Sequence, residues 1–172
     1  MRVVIAPFSN DTARDWPLSH YSALIDLILQ RPEGRVELIG SGSQRPAINL
    51  LTRGRAAGRI SNGAGRLDWS QIEAKLCEAD VVIANNSGIA HFAANLGLAT
   101  VCIFAATHLE SEWGPRGSAV VNLTTRLACS PCAGTSCQNG ALCLTAISPE
   151  QVLRATDHAI RLRSLLIAGK AA

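Results

Sequence analysis

From residue 81 to residue 109 the chain carries no Asp, Glu, Lys or Arg, and no other stretch narrows the possible folds as much. It opens on Val81-Val82-Ile83-Ala84, a continuous apolar run of the kind buried on both faces in a parallel sheet. Asn85-Asn86-Ser87-Gly88 reads as a turn. Residues 89–96 read as a helix whose Ala90, Ala93 and Ala94 allow close packing on a sheet, and residues 100–105 as the next strand after Gly97. A membrane span is excluded because the amides of Asn85, Asn86 and Asn95 would be costly in hydrocarbon. The stretch is the buried core of a soluble domain.

The remaining chain repeats the rhythm of strand, turn and helix. Residues 3–6 form a short apolar strand stopped by Pro7, too short for a signal-peptide core. Pro17 suits the first turn of a helix reaching about residue 30, with Leu24, Ile25, Leu27 and Ile28 on its inner side. Residues 36–39 predict a second strand, residues 47–51 a helix, and Ile60 a weak strand. Residues 69–79 have helical spacing, with Ile72 and Leu76 four apart and Ser70 as the N-cap. Residues 119–123 predict one more strand, and Pro149 opens a last helix ending near residue 167. Strands alternating with helices imply a doubly wound, Rossmann-like parallel sheet.

Composition sets bounds on this picture. The 172 residues suit one domain over residues 1–172. With 48% apolar and 17% charged residues, the chain is neither disordered nor highly solvated. A net charge of +3 is too small to argue for a nucleic-acid partner.

In open α/β sheets ligands lie beyond the carboxyl ends of the strands. Three such turns here are small and polar: residues 7–12, residues 40–43, and Asn85-Asn86-Ser87-Gly88. The last joins a buried strand directly to a helix, so free amides and the positive helix end face outward, which suits a phosphate without a Lys. Ser87 can bond a phosphate oxygen or simply cap the helix. His91, one helical turn on, can face the same ligand or pack against a loop. Arg14 can aim a cation there or sit solvated. Neither GxxxxGK[ST] nor GxGxxG occurs, which argues against a nucleoside-triphosphate hydrolase or a dehydrogenase.

Six cysteines fall into two groups. Cys77 and Cys102 read as reduced core residues. Cys129, Cys132, Cys137 and Cys143 follow C-x2-C-x4-C-x5-C in a loop over residues 129–143. Four thiolates at such spacing can hold a structural Zn or Fe, and reduced thiols or a disulfide fit the same pattern.

The order of motifs resembles that of glycosyltransferase family 9, the ADP-heptose lipopolysaccharide heptosyltransferases. Asn86-Ser87-Gly88-Ile89-Ala90-His91-Phe92-Ala93-Ala94 is similar to the family's DSGxxHLAA signature. Residues 7–17 (PFSNDTARDWP) resemble its PGAxxxxKxWP loop, residues 36–42 its VxLxGxG strand and turn, and Trp113-Gly114-Pro115 its WxP segment. The four-cysteine loop resembles the family's CxPC tail. The likeness runs over roughly residues 2–165.

The resemblance implies the C-terminal, donor-binding half of a GT-B glycosyltransferase. It places Ser87, Gly88 and His91 at the donor diphosphate, Arg14 at the family's phosphate-binding Lys, and the turn at Gly40 to Ser43 near the nucleoside. With Ser9 and Asn86, these make the candidate substrate-binding set. Asn86 departs from the usual Asp, and Ser43 from a Glu that often meets the nucleoside.

No catalytic residue is identified in this chain, because the family's catalytic carboxylate lies in the acceptor-binding half. The implied partners are a nucleotide-sugar donor such as ADP-heptose, an acceptor-binding domain or chain, and a glycan or lipid A-core acceptor. No cofactor is implied for transfer, although some autotransporter heptosyltransferases resembling the family hold iron on four cysteines. The implied location is cytoplasmic, free or peripheral at the inner membrane. The competing reading is a non-catalytic metal-binding interaction module built on the four-cysteine loop.

Overall fold

Six short strands form one all-parallel sheet in the order β3-β2-β1-β4-β5-β6. They are β1 (Arg2–Ala6), β2 (Arg35–Leu38), β3 (Ile60–Asn62), β4 (Val81–Asn85), β5 (Thr100–Ile103) and β6 (Val120–Leu123). The computed structural model describes residues 1–132, 137 and 139–170. The helices are α1 (Leu18–Gln30), α2 (Arg45–Thr52), α3 (Trp69–Glu78), α4 (Gly88–Asn95), α5 (Glu110–Trp113), α6 (Leu142–Thr145) and α7 (Pro149–Lys170).

Successive strand residues point to opposite faces, and each face has its own core. On one side Val3, Ile5, Val81, Ile83, Val101 and Ile103 meet Leu24, Ile25 and Ile28 of α1 and Val152, Ala155 and Ala159 of α7. On the other, Val4, Val82, Ala84, Cys102 and Phe104 meet Leu76 of α3 and Ala90 and Ala93 of α4. Every residue of β4 is buried, as its unbroken apolar run requires. The small residues of α4 let that helix lie directly on β4 and β5.

Two local expectations are corrected. The N-cap of α3 is Asp68, not Ser70: its carboxylate accepts from Gln71 N at 2.8 Å, while Gln71 Oε1 accepts from Asp68 N. Cys77 is exposed, because Leu76 takes the inward direction and the next residue turns about 100° away. Cys102 is buried as expected, and burial pushes its thiol well up.

Among the described residues no helix is long and apolar enough to cross a membrane.

Candidate functional site

Strand order reverses between β1 and β4, so the loops leaving those two strands diverge to opposite faces and open a crevice at the carboxyl edge. Residues 7–16 leave β1, and Asn86 and Ser87 leave β4. Four of the candidate residues, Ser9, Arg14, Asn86 and Ser87, come from these two loops, and Gly88 and His91 follow on α4.

The β4 loop presents an open helix start. Ser87 occupies the N-cap with extended backbone (φ −149°, ψ 167°), yet its hydroxyl makes no capping bond. That hydroxyl is buried without a hydrogen-bond partner. Ser87 O accepts from Ala90 N at 3.1 Å, so the ladder begins there, and the amides of Gly88 and Ile89 have no partner among the described residues. Nothing lies within 4 Å of where a Cβ on Gly88 would stand. Two unpaired amides and the positive helix end thus lie at the open side of Gly88, with the buried, unpartnered Ser87 hydroxyl beside them, an arrangement that accepts an anion.

Asn86 and His91 are joined, His91 Nε2 lying 3.3 Å from Asn86 Oδ1. With the proton on Nε2 the imidazole donates to the amide, and Nδ1 offers a ligand a donor only when the ring is doubly protonated. Asn86 is itself 7% exposed, and its backbone N donates to Ile103 O.

The β1 loop is held rigidly beside this helix start. Asp11 caps a single 3-10 turn over Thr12–Arg14 by accepting from Ala13 N at 3.0 Å. Ser9 Oγ bridges Asp11 O and Asp11 N, and Ser9 N donates to Asp15 Oδ1 at 2.6 Å. Ser9 is therefore committed to shaping the loop. Arg14 Nε is buried without a hydrogen bond and stands 3.7 Å from Asp11 Oδ2. A buried guanidinium nitrogen lacking an acceptor is costly, and an anionic ligand would supply one.

Sequence reasoning missed the residues that fix this loop. Asn85 is fully buried at the end of β4. Its Nδ2 donates to Pro7 O at 2.7 Å and Asp15 Oδ1 at 3.2 Å, and its Oδ1 accepts from Trp16 N and from Tyr21 Oη. Trp16 Nε1 donates in turn to Ile147 O at 3.0 Å, tying the loop to the segment before α7. Burial raises the Asp15 carboxyl above its ordinary range; the two hydrogen bonds from Ser9 act against this. The available signal was an amide directly following an unbroken buried strand, where a polar side chain needs partners.

Gly40 and Ser43 sit one strand further along the same edge, after β2. Ser41 and Gln44 close a capping box there, and the hydroxyls of Ser41 and Ser43 lie 2.8 Å apart. Gly40 O accepts from Gly65 N, where φ is +64° and a Cβ would meet Gly42 Cα at 2.4 Å, so residue 65 must be glycine for the two loops to touch.

The four loop cysteines do not assemble a ligand set. Cys143 is drawn into the core by α6, whereas Cys129 and Cys137 are exposed and accept hydrogen bonds from Asn139 Nδ2 and Ala141 N. The Cys132 thiol is raised by its partial burial and then by Cys129 and Cys143 nearby. Among the described residues no three His, Cys, Asp or Glu side chains converge to hold a metal. Residues 133–136 and 138 of this loop lie outside the described residues.

Residues 2–142 match the family model of glycosyltransferase family 9 (heptosyltransferase). The fold is similar to that of ADP-heptose lipopolysaccharide heptosyltransferase II of E. coli, with TM-score 0.79 and 20% identity over 95% of this chain and 47% of that one. It is similar to E. coli heptosyltransferase WaaC with ADP, with TM-score 0.72 and 16% identity over 92% and 44%. A third likeness is to the dodecameric iron-containing heptosyltransferase TibC in complex with ADP-D-beta-D-heptose, with TM-score 0.68 and 19% identity over 93% and 46%; TibC comes from enterotoxigenic E. coli H10407. The chain spans about half the length of these structures. No curated protein matches the sequence significantly.

Proposed function

The chain belongs to glycosyltransferase family 9, and on that premise we propose that it binds the nucleoside diphosphate of a sugar donor at the start of α4. The observation that carries this reading is the unpartnered, buried Ser87 hydroxyl beside the unpaired amides of Gly88 and Ile89, with open space at Gly88. Arg14, whose Nε lacks an acceptor, supplies positive charge from the facing loop. His91 adds a further donor when doubly protonated. The nucleoside extends toward Gly40 and Ser43, and ADP-heptose is the donor that the ligands of the WaaC and TibC structures favour.

In glycosyl transfer the bond from anomeric carbon to diphosphate breaks as the acceptor oxygen attacks. Negative charge grows on the leaving diphosphate, where fixed amides and a guanidinium stabilise it. The acceptor must also lose a proton, and we assign no residue of this chain as the base that takes it. An acceptor-binding half supplies that base and the lipopolysaccharide-type glycan. Among the described residues no ligand set converges, so no step is derived through a metal, and no observation favours the interaction-module alternative.

Calorimetric titration with ADP, UDP and GDP tests the reading. Binding of at least one, lost in parallel with changes at Ser87 and Arg14, is the expected result; binding of none would refute it.

A further inference from the structure

Positive charge is concentrated in one part of the chain. Residues 31–66 carry seven Arg and only two acidic residues, although the whole chain is just +3. This segment builds β2, α2 and β3, so the charges gather along one side of the sheet. Arg31 and Arg55 are paired with Asp157 and Asp26. Arg35 is not paired.

Strand register sets Arg35 beside a second arginine. Arg2 and Arg35 are partners in the parallel pair of β1 and β2, so their backbones run about 4.8 Å apart. Val4 faces the core under α3 and α4, whereas Val36 and Leu38 face the opposite core. Alternation along each strand therefore aims both arginines at the α3 side. Among the described residues neither guanidinium makes a hydrogen bond or an ion pair. Only their backbones are engaged, Arg2 N donating to Asp80 Oδ2 and Arg35 N to Met1 O. Like charges side by side on one sheet face repel, and an anion between them removes that cost.

The acidic groups nearby are held by other partners. Lys75 Nζ stands 3.5 Å from Glu37 Oε2 and 3.9 Å from Glu78 Oε2. Asp80 Oδ2 accepts from Arg2 N and lies 3.9 Å from the terminal amino group. Arg59, just before β3 in the same row, turns its guanidinium to the carbonyls of Arg31 and Gly34. Over the remaining pair lies a cleft of about 240 Å³, lined by Arg2, Val4, Arg35, Glu37, Ser61 and Lys75, with buried Ala79 at its side. That is below the roughly 300–1,000 Å³ of pockets for drug-sized ligands, so the cleft suits something smaller than a nucleotide. It sits at the amino ends of the strands, and the length of β1 separates it from the start of α4.

From this juxtaposition we infer that the amino-end cleft is a second anion-binding site, in which Arg2 and Arg35 grip one oxyanion head while Val4 and Ala79 receive a small apolar body. The row of Val4, Glu37 and Ser61 carries no unpaired cation, so a single head group is accommodated. The ligand class is a small metabolite bearing a carboxylate or a phosphate monoester, either of which fits a guanidinium fork. The site shares no residue with the donor cradle and does not depend on it.

The test titrates the isotopically labelled full chain with inorganic phosphate and with butyrate, at an ionic strength fixed with sodium chloride. Saturable amide shifts are expected at Arg2, Arg35 and Ser61, with butyrate also moving Val4 and Ala79. Tighter binding of phosphate assigns the site to a phosphate monoester, and tighter binding of butyrate to a carboxylate. Arg35 is exposed, and Arg35→Gln removes one of two like charges, so the fold is retained. The variant weakens either anion about tenfold, and Arg35→Lys restores part of the affinity. Any phosphate shifts at Gly88 and Ile89 belong to the cradle and are unmoved by Arg35→Gln, so the two sites fail or stand separately. The absence of saturable shifts at the arginine pair, shifts that sodium chloride reproduces, or an affinity there that Arg35→Gln leaves unchanged would each overturn the inference.

Discussion

Asn85 at the end of β4 donates to Asp15 in the loop after β1 at 3.2 Å, so the two strands that flank the crevice share one buried hydrogen-bond network. The same amide holds Pro7 O, Trp16 N and the Tyr21 hydroxyl. Burial pushes the Tyr21 hydroxyl well up, which keeps it a neutral donor. Asn85→Ala strands these groups in a dry interior and costs about 3 kcal/mol of stability. Denaturant unfolding measures it; a loss within the ordinary range of a surface substitution would show that the network is dispensable.

Asp15 gives a pH dependence of defined sign. Its folded pKa is raised by burial, so between the ordinary carboxylate range and that raised value the folded state holds more protons than the unfolded state. Its contribution to stability therefore falls as pH rises through that window. Asp15→Asn removes the titration while keeping an oxygen to accept from Ser9 N and Asn85. The variant's stability relative to the parent rises with pH from about 3 upward and then levels off. Unfolding midpoints measured across that range check it, and a difference that shrinks with pH would reverse the assignment.

At the cradle, stability and binding separate. Ser87→Ala breaks no hydrogen bond and relieves an unpartnered buried hydroxyl, so stability holds or rises slightly. ADP affinity falls about tenfold with the loss of one bond to a charged group. Arg14→Ala lowers it by a similar factor, and Arg14→Lys keeps the charge but not the forked geometry. Calorimetry beside thermal melts separates the two effects.

Transfer requires more than donor binding. Given ADP-heptose and a lipopolysaccharide core acceptor, this chain alone yields no transferred sugar, because the base is proposed to lie in an acceptor-binding half. Adding an acceptor-binding half restores turnover. Robust transfer by the chain alone, followed by product mass, would show that a base within these residues has been overlooked.

The architecture was legible because its signals are local and repeated. The unbroken apolar run of β4 and the alanine-rich α4 specify a central parallel strand and a closely packed helix from composition alone. The open helix start at Ser87 and Gly88 was legible for the same reason, since a strand turning straight into a helix must expose amides. Asn85 was not: read as the first turn residue, it is in fact the last strand residue, and its four partners lie 64 to 78 positions away or in the loop it fixes. Asp15 was hidden likewise, its role depending on a contact across the switch point. The cysteine spacing left a metal site, reduced thiols and a disulfide open, because spacing carries no information about which sulfur the core will claim, and Cys143 lies inward with α6.

The most direct test is a residue-resolved titration of the isotopically labelled chain with ADP. The largest amide shifts are expected at Gly88 and Ile89, with smaller ones at Arg14 and the loop after β2, and Ser87→Ala should reduce them at equal ligand. Saturable shifts confined to the cleft at the amino ends of β1 to β3, around Arg35 and Lys75, or no shifts at all, would contradict a pyrophosphate site at the start of α4.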